Sequence, residues 1–574
     1  MSCLNGDPPA TERFANDAIF TRLKRLCKER TDVLFHDDYG IDANYSHLIG
    51  DIMHLRRKLR EKLPSSSFNS HGSLRGDAAS IAFLGHSGYH FIVSFFAIIA
   101  LGGICVPLAT GLADKEALYI LNKTKAVCIL TGPSTLDVAT RIKQFSQSQV
   151  SQALELVTIT RADHESSKSH HHAFEIDGDL TFSPTTGCLV LFTSGTTGPP
   201  KGVLLPRKML HCTADLASKP VIYLASCPVQ WVGGTGLIDS VLNAEHLHIM
   251  RNDCGPGEFW EILKEGKITE MSVSPTLLRG LMEYYNENIR GLPDKDRDRY
   301  IHGAKSLEVV YTSGSVLSRF TRKFFTELMN MPLRNGYGIT EMGGGVIVTP
   351  DGSDYKEGYI GKPLPGLEVK LSEGNHGEIL VKSPHKFIGY VGDEKATRAA
   401  FDDEGFYKTG DQAHRVGDDF YFDGRLSQDW IRFHEYTISV LELEQSLMDL
   451  PYVYEAHVLP VPEHEAGGIV AALVRLDKHA GQGAKHDVTL ATIREDLAGA
   501  GLVSYKLPVL LRLLREEDQV PFTASGKAVK KECLRKYFNI TGYLQDQYAV
   551  DGVEYWGNKL DVGASSRVFD WGGL

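Results

Sequence analysis

The chain has 574 residues, too many for one hydrophobic core and enough for two or more domains. Its formal net charge of −11 gives no support to a nucleic-acid partner. Nine cysteines occur singly, with no CxxC pair, which argues against a disulfide-stapled secreted scaffold and for reduced thiols in a cytoplasmic setting.

The N-terminus, MSCLNGDPPATERF, lacks the basic and apolar regions of a signal peptide. Residues 1 to about 75 read as an opening helical region with a polar spacer at Pro64 to Ser73. The apolar run Phe91 to Ala109 is long enough to raise the question of a membrane span. Ser94, Gly102, Gly103 and Pro107 interrupt it, so a buried helix followed by a strand is expected instead. From Ile81 onward, short apolar runs such as IAFLG, ICVPL, AVCILT and LEVVYT alternate with helix-length amphipathic segments, the pattern of parallel α/β layers. The polar segment Arg161 to Ser183 carries His170, His171 and His172. Three consecutive loop residues do not easily converge on one ion, so a solvated loop is expected rather than a metal tract.

Leu191 to Val203 reads LFTSGTTGPPKGV. Thr193, Ser194, Gly195, Thr196, Thr197 and Gly198 supply small or hydroxyl residues, and Lys201 follows two prolines. Small residues let backbone N–H groups turn toward an anion, hydroxyls add donors, and the lysine adds a positive charge. The P-loop of common NTPases needs Gly-Lys followed by Ser or Thr, whereas Lys201 stands between Pro200 and Gly202. A different phosphate-binding loop is expected, with one strand entering it and another leaving; the plainer alternative is a Ser/Gly/Thr surface turn.

Other blocks follow in order. Ser313-Gly314-Ser315 closes the apolar run LEVVYT, and Asn335 to Gly345 reads NGYGITEMGGG. Further on stand GEILVKSPHKFIGY from Gly377, YKTGD from Tyr407 to Asp411, Gly424-Arg425, and Ser525-Gly526-Lys527. With LGGICVPL upstream, this ordered set resembles the adenylate-forming superfamily of acyl-CoA synthetases, peptide-synthetase adenylation domains and luciferases. The resemblance covers roughly residues 30 to 540. It implies an α/β fold with a large N-terminal AMP-binding domain of layered subdomains (1–424), a small mobile α+β C-terminal lobe (425–538), and a tail (539–574). VLELEQSLMDL should be a helix of that lobe, with VYEAHVLPV and IVAALVRL as strands.

The resemblance also implies chemistry: ATP and Mg2+ activate a small carboxylic acid as acyl-AMP, and CoA then takes the acyl group. The loop Thr193 to Lys201 would hold the β- and γ-phosphates. Tyr337, with Gly338, would pack on adenine, Thr340 would bond the α-phosphate, and Glu341 would hold Mg2+. Ser313, Gly314 and Ser315 would lie along adenine, Asp411 would take the ribose hydroxyls, and Arg425 would touch ribose or phosphate. Lys527 would serve adenylation from the mobile lobe, while Lys530, Lys531 and Arg535 form a solvated basic helix face.

The chain departs from the family pattern in two places. The junction GRLSQDWIRFHEY is one residue longer than the commonest form, a spacing similar to the malonyl-CoA synthetase branch, and it carries Glu435 where the family has glycine beside the pantetheine channel. The acyl-pocket block reads Pro228-Val229-Gln230-Trp231, followed by Gly233 and Gly234. Stretches 228–236, 309–316 and 337–346 contain no Lys or Arg, leaving Arg279 as the nearby cation for a second carboxylate. With Gly343 and Gly344 removing side-chain volume, an apolar aliphatic or aromatic monocarboxylic acid is expected. Glu435 keeps open transfer to an amine or a separate carrier protein; no fused carrier domain is expected after Phe538. A non-catalytic nucleotide-binding regulator is the alternative of another class.

Overall fold

The computed structural model describes residues 12–75, 80–149, 154–162, 174–193, 200–211, 219–314, 317, 319–354, 356, 358–425, 429–433, 436–463, 467–477, 488–522, 528–544 and 548–557. Three sheets carry most of the architecture. The first has seven strands, ordered Gly389–Tyr390, Lys201–Pro206, Gly187–Thr193, Ile104–Leu108, Ser80–Leu84, Cys128–Thr131 and Glu155–Thr158. Its parallel part is buried on both faces, which is why ICVPL and CILT read as unbroken apolar runs rather than alternating ones.

The run at Phe91 resolves as expected into helix Tyr89–Ala100 and strand Ile104–Leu108. That helix is apolar on all sides and buried on all sides except at His90. Gly102 turns the chain between them at φ +76°, and a Cβ there would strike the Phe182 ring at 2.7 Å. Among the described residues no helix is long and apolar enough to cross a membrane.

The second sheet has thirteen strands. Its middle runs Leu333–Ile339, Val309–Ser313, Glu270–Val273, Ile222–Ala225 and His246–Ile249, all parallel. One flank continues through Gly344–Val348, Tyr359–Pro363, Asp419–Arg425 and Tyr407–Val416, all antiparallel. The other flank ends in a hairpin, Phe35–Asp37 and Ile41–Ala43. This hairpin interrupts the expected all-helical opening: helices Ala18–Glu29 and Tyr45–Lys62 lie on either side of it. Its strands are three residues each, too short for a period-two pattern to stand out in sequence.

The last strand of the large sheet ends at Arg425, and Ile431 is the first residue of a separate apolar cluster that runs to Tyr548. This cluster packs helices Val440–Met448, Leu490–Gly499 and Lys530–Phe538 on a four-stranded sheet. Strands Val453–Glu463 and Gly467–Leu476 match the sequence expectation. Part of the 539–574 segment belongs to the same unit: Ile540, Leu544 and Tyr548 are buried in it, and Val553–Tyr555 adds its edge strand.

Candidate active site

Thr193 ends one strand and Lys201 begins the next, and the two are cross-strand partners in an antiparallel pair. The glycine- and hydroxyl-rich loop is therefore what joins a hairpin; Ser194, Gly195, Thr196, Thr197 and Gly198 themselves lie outside the described residues. Thr193 Oγ1 donates to the Lys201 carbonyl at 3.4 Å. Lys201 Nζ lies 4.8 Å from the centre of the Tyr390 ring, a cation–π arrangement.

Tyr390 reaches a second charged residue. Its hydroxyl donates to Glu341 Oε1 at 2.8 Å and meets the Tyr407 hydroxyl at 3.1 Å. Glu341 is buried in the one-turn helix Thr340–Met342, and the Glu341 carbonyl accepts from Phe387 N–H at 2.7 Å. Burial first, and then the Glu341 charge, raises both tyrosine hydroxyls well above their ordinary range, so both keep their protons to donate. Sequence reasoning quoted Tyr390 within a block but gave it no role. Nothing in its spacing links it to Lys201, 189 positions earlier.

A second carboxylate sits in a different environment. Asp411 and Arg425 are partners across adjacent strands, which sets the guanidinium against the carboxylate. Arg425 Nε donates to Asp411 Oδ1 at 2.7 Å and Nη2 to Oδ2 at 3.3 Å. Tyr337 Oη donates to Asp411 Oδ2 at 2.7 Å. Burial alone would lower the Arg425 guanidinium, but bonding to Asp411 outweighs it and the group is raised. Arg425 N–H donates to Asp429 Oδ2 at 3.1 Å, and Lys530 Nζ donates to Asp429 Oδ1 at 3.0 Å. Lys530 is thus tied to the junction instead of sharing the solvated face kept by Lys531 and Arg535.

Strand register brings the other blocks alongside. Ser313 pairs with Gly336, so the turn at Gly314 (φ +92°) lies next to the Tyr337 strand. Gly338 faces the backbone of Gly344 so closely that a Cβ would sit 2.5 Å from the Gly344 carbonyl oxygen. Gly343 and Gly344 take φ +79° and +140°, which L side chains rarely adopt. The turn after Met342 therefore requires these glycines whatever the ligand, a reason sequence reading assigned to pocket volume. Gly344 does face the acyl stretch: a Cβ there would lie 3.9 Å from Val232. Gly234 is a packing glycine, since a Cβ would strike the Pro228 carbonyl at 2.3 Å. Gly233 is exposed, while Gln230 and Trp231 are half-buried on the same turn.

Arg279 faces the C-terminal unit. Its Nε is 3.5 Å from Glu283 and its guanidinium lies 5.7 Å from the Tyr454 ring centre. Ser315, Glu435 and Lys527 lie outside the described residues.

These arrangements sit on a fold with known relatives. Residues 65–391 match the model of the AMP-binding enzyme family. An acyl-CoA ligase, oryP, of Aspergillus oryzae (strain ATCC 42149 / RIB 40) is 32% identical over 555 residues, spanning 95% of this chain and 96% of the relative. A malonate–CoA ligase of Arabidopsis thaliana is 26% identical over 498 residues, 83% of this chain and 80% of the relative. The solved structure of ATP-bound MatB from Rhodopseudomonas palustris superimposes with a TM-score of 0.70 at 21% identity, covering 90% of this chain and 98% of that one. Ordered blocks, the two carboxylate clusters and these likenesses converge: the chain belongs to the AMP-binding enzyme family and has the adenylate-forming fold.

Proposed function

We propose that this protein is an acid–thiol ligase that uses ATP to convert an apolar monocarboxylic acid into its acyl adenylate and then its CoA thioester. One observation carries the reading: Tyr390 stands between the loop lysine and a buried carboxylate, contacting Lys201 through its ring and Glu341 through its hydroxyl. A cation beside a carboxylate that, among the described residues, has no basic partner suits a nucleoside triphosphate that brings its own metal.

Carboxylates are poor electrophiles, so the acid oxygen attacks the α-phosphorus in line and pyrophosphate leaves with its bonding pair. Lys201 and the Thr193 loop hold the departing phosphates, and Thr340 donates to the α-phosphate. Tyr337 and the Ser313–Gly314 turn bound the adenine, Asp411 accepts from ribose hydroxyls, and Lys527 closes on the reacting oxygens. Glu341 fits Mg2+, which keeps several waters and takes only one or two carboxylates besides phosphate. When bound, that ion neutralises phosphate charge. The CoA sulfur then attacks the acyl carbon and AMP leaves.

Malonate is the competing acid, since malonate–CoA ligases are among the relatives. Against it, the pocket stretches carry no cation and Arg279 is engaged with Glu283. Pyrophosphate exchange over a panel of acids tests the proposal, with exchange expected for apolar monocarboxylates. Exchange with malonate alone overturns the substrate class, and silence over every acid supports a nucleotide-binding regulator instead. Thioester formation with CoA, against acyl transfer to hydroxylamine or an amine, identifies the acceptor.

A further inference from the structure

At the edge of the large sheet, remote from the nucleotide cluster, two histidines and an aspartate converge. His36 and His248 are register partners on adjacent parallel strands, so both side chains leave the same face. Their rings stand 4.8 Å apart, nearly edge to face. Asp38 Oδ1 lies 3.0 Å from His248 Nε2 and 3.7 Å from His36 Nε2. One ligating atom from each of the three residues falls within 4.8 Å of the other two.

The local chain fixes these positions. Asp38 N–H donates to the Ile249 carbonyl at 3.0 Å, and the buried Asp37 carboxylate accepts from the N–H groups of Tyr39 and Tyr89. His36 has a further partner: its Nδ1 is 2.8 Å from Asp42 Oδ1 on the paired strand of the hairpin.

That contact determines what the other ring nitrogen can do. A carboxylate only accepts, so Nδ1 carries the proton toward Asp42, and in the neutral ring Nε2 is a bare lone pair. This lone pair faces Asp38 Oδ1, another acceptor. At 3.7 Å the two acceptors are joined by a donating water or by a metal ion between them. His248 Nε2 donates to the same Asp38 oxygen at 3.0 Å, so an ion held between them would take the place of that proton. Asp38 and Asp42 together supply two negative charges. Arg251, which lines the adjoining cleft, pairs with Asp253 at 3.3 Å, and the exposed Lys267 lies 3.8 Å from Glu265.

We propose that His36, Asp38 and His248 form a three-ligand site for a borderline divalent cation, Zn2+ first among them, with Asp42 orienting His36. Two imidazoles and one carboxylate suit zinc, cobalt or nickel, whereas the Mg2+ that accompanies ATP prefers oxygen ligands throughout. The fourth position is open to water or to a ligand in the adjoining cleft of about 750 Å3, which Asp38 and His248 line together with Arg251, Cys254 and Glu258. From Tyr337 the site is four to five strands away, about 20 Å at the usual strand spacing. The ion would clip the edge hairpin to the body of the sheet.

The test is a titration of the tag-free full chain with Zn2+ in excess Mg2+, read by calorimetry and by the visible spectrum of the Co2+ form. One tight site per chain is expected. His36→Gln and His248→Gln should each weaken it at least about tenfold, and Asp42→Asn by about tenfold through lost orientation of His36. Hydrogen exchange of residues 35–43 should slow when Zn2+ is added to the unaltered protein, a readout needing no variant. The proposal is overturned if no Zn2+ binds, leaving a donating water as the bridge. Unchanged affinity in the His36→Gln/His248→Gln double variant overturns it as well. So does binding that disappears when His170, His171 and His172 alone become alanine.

Discussion

Glu341 and Asp411 are both buried, both accept from tyrosine hydroxyls, and both lie on the antiparallel flank of the large sheet or beside it. They differ in their company. Asp411 has a guanidinium bonded to both oxygens, so its charge is answered within the protein. Glu341 has the neutral Tyr390 hydroxyl, and the nearest named cation, Lys201, stands across the tyrosine ring. Among the described residues no guanidinium or ammonium bonds Glu341, which leaves room at its carboxylate for the proposed metal ion. The pairing of each acid, more than its burial, distinguishes the nucleotide-anchoring role proposed for Asp411 from the metal-holding role proposed for Glu341.

Four substitutions sharpen or break that contrast. The largest effect is expected where neither carboxylate can compensate: Lys527→Ala should slow pyrophosphate exchange by about 10²–10³-fold while ATP still binds. Unchanged exchange would remove Lys527 from the chemistry. Next, Glu341→Gln should lower kcat by about a hundredfold and should not be rescued by more ATP, because the loss lies in charge held during transfer. Asp411→Asn should act differently, raising the KM for ATP about tenfold with a smaller change in kcat. If the two acids gave the same kinetic signature, the distinction drawn here would be wrong. Tyr390→Phe should have the smallest effect. It keeps the ring under Lys201 and removes the bond to Glu341, so the Mg2+ needed for half-maximal rate should rise about threefold.

Much of this was legible in the order of short blocks. The hairpin around the Gly/Thr loop follows from apolar runs on either side of it, and the structure brings Thr193 and Lys201 into register. The pairing of Asp411 with Arg425 was accessible too, because Gly417 and Asp418 mark a turn midway between them. Tyr390 was not, since its meaning arises only when a two-residue strand docks beside Lys201–Pro206. The triple glycine misled for another reason: missing side chains read as spare volume, while the backbone dihedrals at Gly343 and Gly344 show a turn that tolerates little else. Arg279 likewise looked available until a neighbouring helix position, Glu283, was seen to hold it.

Asp411 has about four lone-pair directions, and Arg425 Nε, Arg425 Nη2 and Tyr337 Oη occupy three. A guest presenting a diol needs two. If the proposed ribose docks there, Tyr337 or Arg425 must loosen its hold. The Arg425 backbone is also fastened to Asp429, and Asp429 to Lys530 on the last described helix, so such a trade would fall at the seam between the two halves of the molecule. The proposed ribose anchor and the tether of the smaller half thus share the same few bonds.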